Sequence, residues 1–175
     1  MAYKHWFVSR QKRQLTSILS ALVAYSDVCE GKKWAGNVEL QLRFEDELQH
    51  IETYVALEKL RFNNRINVVY DIQTKNFSVP PLTIQPLVEN AVKHGILKKL
   101  EGGTVTIRTL EVSEAFIVEI VDDGVGFNMA DVDFNSNIHF GMNNIRYRLN
   151  TMCRADVVID SKLGQGTKIR VILYK

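Results

Sequence analysis

Leu87-Val88-Glu89-Asn90-Ala91-Val92-Lys93-His94-Gly95 is the stretch on which the fold turns. On a helix, Asn90, Lys93 and His94 are spaced three and four apart and share one face, while Val88, Ala91 and Val92 lie largely around the other side. An amide oxygen, an ammonium and an imidazole on one face suit a polyphosphate bridged by a hard cation. Mg²⁺ takes oxygen ligands and keeps several waters, so one Asn carbonyl and phosphate oxygens make a workable shell. A plain solvated helix face is the alternative reading. The helix is predicted over 82–96, after Pro80-Pro81 stops any regular ladder and with Pro86 near its first turns.

Downstream, the period changes from helical to alternating. Residues 104–110 and 115–121 read as two antiparallel strands joined by Glu111-Val112-Ser113-Glu114. The second runs into Val121-Asp122-Asp123-Gly124-Val125-Gly126. Glycines there let the backbone come close to a ligand, and a carboxylate at a strand end can accept a hydrogen bond from an exocyclic amine such as that of adenine. An ordinary Asp-Gly turn is the competing reading. Residues 122–140 have no clear period, and a loop of that length is usually functional or disordered. A helix follows over 142–152. A hairpin over 157–159 and 168–174 turns at Ser161-Lys162-Leu163-Gly164-Gln165-Gly166-Thr167, where paired glycines by themselves mean only a positive-φ turn.

Upstream, 66–72 is a strand by its β-branched content. The run 38–62 is helical, with an apolar stripe of Phe44, Leu48, Ile51, Val55 and Phe62 and with His50 on its polar side, expected to be solvated. A further helix is predicted over 11–29, followed by a polar linker at 31–37. The expected domains are therefore a helical arm at 1–62 and a two-layer α/β domain at 63–175.

The whole chain has 175 residues, 46% hydrophobic and 24% charged, which fits one domain plus an arm and excludes disordered and low-complexity classes. Net charge is +2, too balanced to argue for nucleic acid. No apolar run is long enough to span a membrane, so no membrane contact is expected of this segment. Cys29 and Cys153 read as free thiols of a cytoplasmic protein.

Each motif is weak alone, but their order is not. An Asn-bearing helix, an Asp-x-Gly-x-Gly strand end, a long loop, a glycine-opened helix and a Gly-x-Gly-Thr hairpin resemble the GHKL superfamily of ATP-binding domains. More narrowly, Glu45-Asp46-Glu47-Leu48-Gln49-His50-Ile51-Glu52-Thr53-Tyr54, Glu58-Lys59-Leu60-Arg61-Phe62 and Pro80 to Gly95 resemble the LytS-like sensor histidine kinases. The likeness covers about residues 40–175. It implies an α/β sandwich of GHKL type, with a mixed, mostly antiparallel sheet covered by helices on one face. It implies ATP and Mg²⁺ as cofactors, with Asn90 as metal ligand and Lys93 and His94 near phosphates or ribose. Asp122 would meet the adenine amino group, Gly124 and Gly126 would pass beneath the base, and Thr167 would stand beside Asp122 with Gly164 and Gly166 shaping the turn. Residues 127–140 would be the ATP lid. Gly141, followed by Met142, would open the next helix toward phosphate. Glu89 would help position the nucleophile. A response regulator and a homodimer through the helical arm are the implied partners.

Three departures stand out. No phosphoacceptor segment of the family pattern is present, and Lys4-His5-Trp6-Phe7 is only a faint echo, which makes His5 a weak acceptor. The lid ends His139-Phe140-Gly141-Met142, with His139 where a glycine is usual. Pro86 stands where hydrolytic members carry a water-activating Glu, which disfavours hydrolysis. The reading is a histidine kinase catalytic portion; a catalytically degenerate GHKL nucleotide-binding or dimerisation module and an anti-sigma-factor-type serine kinase are its rivals.

Overall fold

A computed structural model of the chain describes residues 41–131 and 140–175. Every described residue belongs to one compact unit, Gln41–Lys175. The helix expected at 11–29, the linker, Cys29, His5 and the lid stretch 132–139 with His139 lie outside the described residues.

Strand β1 (Leu42–Arg43) leads into helix α1 (Phe44–Phe62). Strands β2 (Ile66–Ile72) and β3 (Ser78–Val79) follow. Helix α2 (Ile84–Asn90) continues as a π-helical turn (Ala91–Gly95) and a 3₁₀ turn (Ile96–Lys98). Then come β4 (Gly103–Val112), β5 (Ala115–Asp122), α3 (Phe140–Met152), β6 (Ala155–Lys162) and β7 (Gly166–Tyr174).

The main sheet has the order β2-β4-β5-β7-β6. Only β2 and β4 are parallel; the other pairs are antiparallel. A parallel pair needs a crossover, and the one between β2 and β4 contains α2. The Asn90 helix is thus laid over the sheet by topology. Side chains alternate along each strand, and the register brings Ile107, Ile120, Ile169 and Ile159 abreast, with Thr109, Val118, Val171 and Val157 as the next row. These rows meet Leu87, Val88 and Val92 of the crossover and Ile145 and Leu149 of α3 in one core. On the opposite face Arg108 pairs with Asp71 at 2.6 Å, and Lys168 with Glu119 at 2.6 Å. The mixed, mostly antiparallel sheet with helices on one face is the architecture expected from the sequence.

Helix α1 buries the predicted stripe Phe44, Leu48, Ile51 and Val55, with Phe62 packed partly against the core. Patterning placed this helix with the arm, and it packs within the unit that starts at Gln41. Its entry is fixed by a ribbon that sequence reading did not find: β1 pairs antiparallel with β3, and the Phe44 N–H donates to the Phe77 carbonyl at 2.9 Å. The rings of Phe44, Phe77 and Phe116 stack at 4.7 and 5.1 Å. Two-residue strands leave no period to detect, and Phe77 sits in what reads as a loop. His50 also differs from expectation: it is half-buried, its Nδ1 has no partner among the described residues, and burial lowers its pKa against the nearby Asp46.

Cys153 is a free thiol, as read. No helix among the described residues is long and apolar enough to cross a membrane.

Candidate nucleotide site

The helix predicted over 82–96 is regular only over Ile84–Asn90. Leu82 takes φ +55, which no helix accepts, so α2 cannot begin before Thr83. Beyond Asn90 the winding widens to π, a change that recurs at functional sites, and it ends at Gly95 with φ −90 and ψ −89. Leu87, Val88, Ala91, Val92 and Gly95 are buried, while Glu89 and Asn90 are half-buried and Lys93 and His94 exposed. The two-sidedness expected of this segment is therefore present. Among the described residues, Asn90 makes no side-chain hydrogen bond that would divert its amide. Lys93 is otherwise engaged: its Nζ lies 2.7 Å from Glu89 Oε2 and 5.6 Å above the Tyr54 ring. The other Glu89 oxygen accepts from Gln85 Nε2 at 3.0 Å, so Glu89 is tied along its own helix.

The strand end meets this helix directly at Gly95. A Cβ on Gly95 would lie 2.6 Å from Asp122 Oδ1, and one on Gly124 would lie 2.5 Å from the Gly95 Cα and 2.6 Å from its oxygen. Only hydrogens fit between these three residues, and the Val125 N–H reaches the Gly95 carbonyl at 3.4 Å. We expect Gly124→Ala to lose about 3 kcal/mol, since backbone must move to admit the methyl. Thermal unfolding would register this as a fall of roughly 10 °C; an unchanged Tm would show the packing to be looser.

Asp122 itself is buried and sits opposite Thr167 in the β5–β7 register, as expected. Its Oδ1 accepts from the Gly124 N–H at 2.9 Å. Burial pushes its pKa up to about 6, against the pull of the Gly124 and Thr167 N–H groups, with Asp123 adding to the rise. Asp123 points elsewhere, accepting from the Thr104 N–H at 2.8 Å.

The hairpin turn staples this strand end. Gly166, φ +87, passes so close that a Cβ would strike the Asp122 carbonyl. The Gly164 N–H donates to the Val125 carbonyl at 2.6 Å. Ser161, which sequence reading left inside a turn motif, is a hub: its Oγ donates to the Gly166 carbonyl at 3.1 Å, shares a 2.9 Å bond with Thr167 Oγ1, and accepts the Phe127 N–H at 3.0 Å. A serine on a strand carries no signal of such a role. The Gly126 backbone, φ +56, follows the same turn. Gly141 and Met142 fall in the first turn of α3, which starts one residue earlier, at Phe140.

Helix, strand end and hairpin thus converge on one buried carboxylate walled by glycines. The model for histidine kinase-, DNA gyrase B-, and HSP90-like ATPases matches residues 82–175, the span that carries all three.

The chain belongs to this ATPase family.

Relatives within the family are similar over most of this chain. YwpD of Bacillus subtilis is 35% identical over 139 residues, 75% of this chain and 49% of that protein. The sensor histidine kinase YpdA of Escherichia coli is 34% identical over 143 residues, 76% of this chain and 25% of its own length. The sensor protein LytS of Bacillus cereus is 30% identical, covering 80% of this chain and 26% of LytS. The chain therefore spans about half or less of the relatives it matches. Among solved structures, the histidine kinase AdeS of Acinetobacter baumannii superposes with a TM-score of 0.62 at 15% identity, over 94% of this chain and 80% of that one, a likeness of fold.

The family's nucleotide fits these residues. The glycines let the backbone close directly around Asp122, and the buried Asp122 is an acceptor suited to an amine at the edge of a purine. Among the described residues no three His, Cys, Asp or Glu side chains gather into a metal-binding group. A divalent cation here would take the Asn90 amide oxygen together with phosphate oxygens and water, as Mg²⁺ commonly does.

Proposed function

We propose that this chain is the ATP-binding catalytic portion of a two-component sensor histidine kinase, passing the γ-phosphoryl of ATP to a histidine for relay to a response regulator. The observation that carries the reading is the seat of Asp122 against Gly95, at the end of the very helix that bears Asn90. Asp122 accepts from the adenine amino group, Gly124 and Gly126 let the backbone run beneath the base, and Thr167, held by Ser161, closes the same edge. Asn90 holds Mg²⁺, which when bound neutralises phosphate charge. Lys93 reaches phosphate only by leaving Glu89, a surface pair of modest strength. Gly141 and Met142, in the first turn of α3, present free N–H groups to phosphate. In phosphoryl transfer, positioning and charge neutralisation supply most of the rate.

Hydrolysis is a poor second use of the site, because Pro86, four residues before Asn90, offers no base. The protein works in the cytoplasm as a homodimer paired through its helical arm, and a membrane anchor belongs to the parent chain if the parent has one. Incubation with γ-labelled Mg·ATP and an acceptor-bearing parent chain tests the assignment. We expect label on protein that acid removes and alkali spares. Acid-stable label would mean a serine kinase, and nucleotide binding with no transfer a degenerate module.

A further inference from the structure

Helix α2 has no cap of its own. Thr83 before it makes no capping bond, and its buried hydroxyl has no partner among the described residues. Pro86 has no N–H, so the orphan donors of the first turn fall to Ile84 and Gln85. Both reach one oxygen of a distant residue: Glu47 Oε2 on α1 accepts from Ile84 at 2.7 Å and from Gln85 at 3.3 Å. Glu47 is fully buried. Burial raises its pKa, while the N–H groups of Ile84, Gln85, Leu82 and Thr83 all pull it back. Two successive N–H groups thus meet on one carboxylate oxygen, while the other, Oε1, is buried without a partner among the described residues. From the other side Arg148 on α3 donates Nη1 to the Pro81 carbonyl at 2.9 Å and Nη2 to the Leu82 carbonyl at 2.6 Å.

The two ends of the Asn90 helix are thus held differently. Its far end is pressed on the sheet through Gly95, Gly124 and Asp122. Its near end hangs on Glu47 from α1 and on Arg148 from the helix that follows the lid. An α-helical stretch this short, with no cap of its own, cannot fix its own position.

We infer that Glu47 is a positioning residue of the nucleotide site: by capping α2 from α1 it sets where Asn90 stands relative to Asp122. The inference rests on the nucleotide reading of that site.

Calorimetric titration with ATP, with and without Mg²⁺, well below the Tm of each variant, tests this. We expect Glu47→Gln, which keeps the shape and removes the charge, to cut the Mg²⁺-dependent gain in ATP affinity about tenfold. ATP affinity without Mg²⁺ should stay within twofold. Glu58→Gln is the control: that carboxylate is also buried on α1, though less completely, and pairs with Arg61 of its own helix at 2.9 Å, so it should lower Tm alone. Arg148→Lys loosens the carbonyl side of the same turn and should move the Mg²⁺ gain in the same direction; it decides the matter if Glu47→Gln fails to fold. An unchanged Mg²⁺ gain in these variants, or an equal loss in Glu58→Gln, overturns the positioning role while leaving the nucleotide reading intact. Absence of ATP binding by the unsubstituted chain overturns the nucleotide reading, and this inference falls with it.

Discussion

Asp122→Ala is expected to abolish the preference for ATP over GTP. A buried carboxylate accepting from an amine contributes about 1.5–3 kcal/mol, and leaving that amine unpaired in a closed site costs a similar amount again. ATP affinity should fall about 100-fold or more, while GTP, which presents a carbonyl where adenine presents an amine, should lose little. Asp122→Asn sharpens the test. Its amide oxygen can still take the Gly124 N–H, so the new NH₂ opposes the adenine amine and welcomes the guanine oxygen. The same residue predicts a pH signature. Its pKa stands at about 6 in the fold against 3.8 unpaired, so the native state holds the extra proton between those values. Stability from this group is present below about pH 4 and is lost as pH rises through 6, by at most ~3 kcal/mol. Asp122→Asn should therefore be no less stable than the unsubstituted protein at pH 8, which separates lost binding from lost fold. ATP binding favours the ionised form, so it should release protons near pH 6 and none at pH 8, measured by calorimetry in buffers of different ionisation enthalpy. A nucleotide preference that survives both substitutions would remove Asp122 from the site.

Asn90→Ala is expected to erase the Mg²⁺ dependence of ATP binding and little else. The side chain is half-buried and engages no described residue, and alanine is the better helix former, so stability should stay within ~0.5 kcal/mol. Affinity measured in chelator should match that of the unsubstituted protein. With Mg²⁺ present, the variant should bind at least tenfold more weakly, because the remaining ligands are phosphate and water, which the protein does not orient. A variant whose affinity still rises normally with Mg²⁺ would show that another group holds the metal.

The period of Leu87–Gly95, the alternation of 104–110 and 115–121 and the glycine spacing after Asp122 were enough to predict a helix, two paired strands, a hairpin and their layered packing. Those signals are local, and each survives being read one element at a time. The opposition of Asp122 and Thr167 could also be expected, because the order of motifs resembles one family. Other features were silent. The pairing of Leu42-Arg43 with Ser78-Val79 is too short for a period, and Ser161 looks like any strand serine. Glu47 looks like one more acid on a Glu-rich helix, and only folding shows that it is buried and accepts from the N–H groups of Ile84 and Gln85. Sequence by itself determined where the longer elements lie and which of their faces are apolar, because propensity and period act over a few neighbours. The tertiary structure alone decided what closes each element's free ends. An uncapped helix terminus and a buried carboxylate oxygen meet only when a residue 37 positions away is brought within hydrogen-bonding distance.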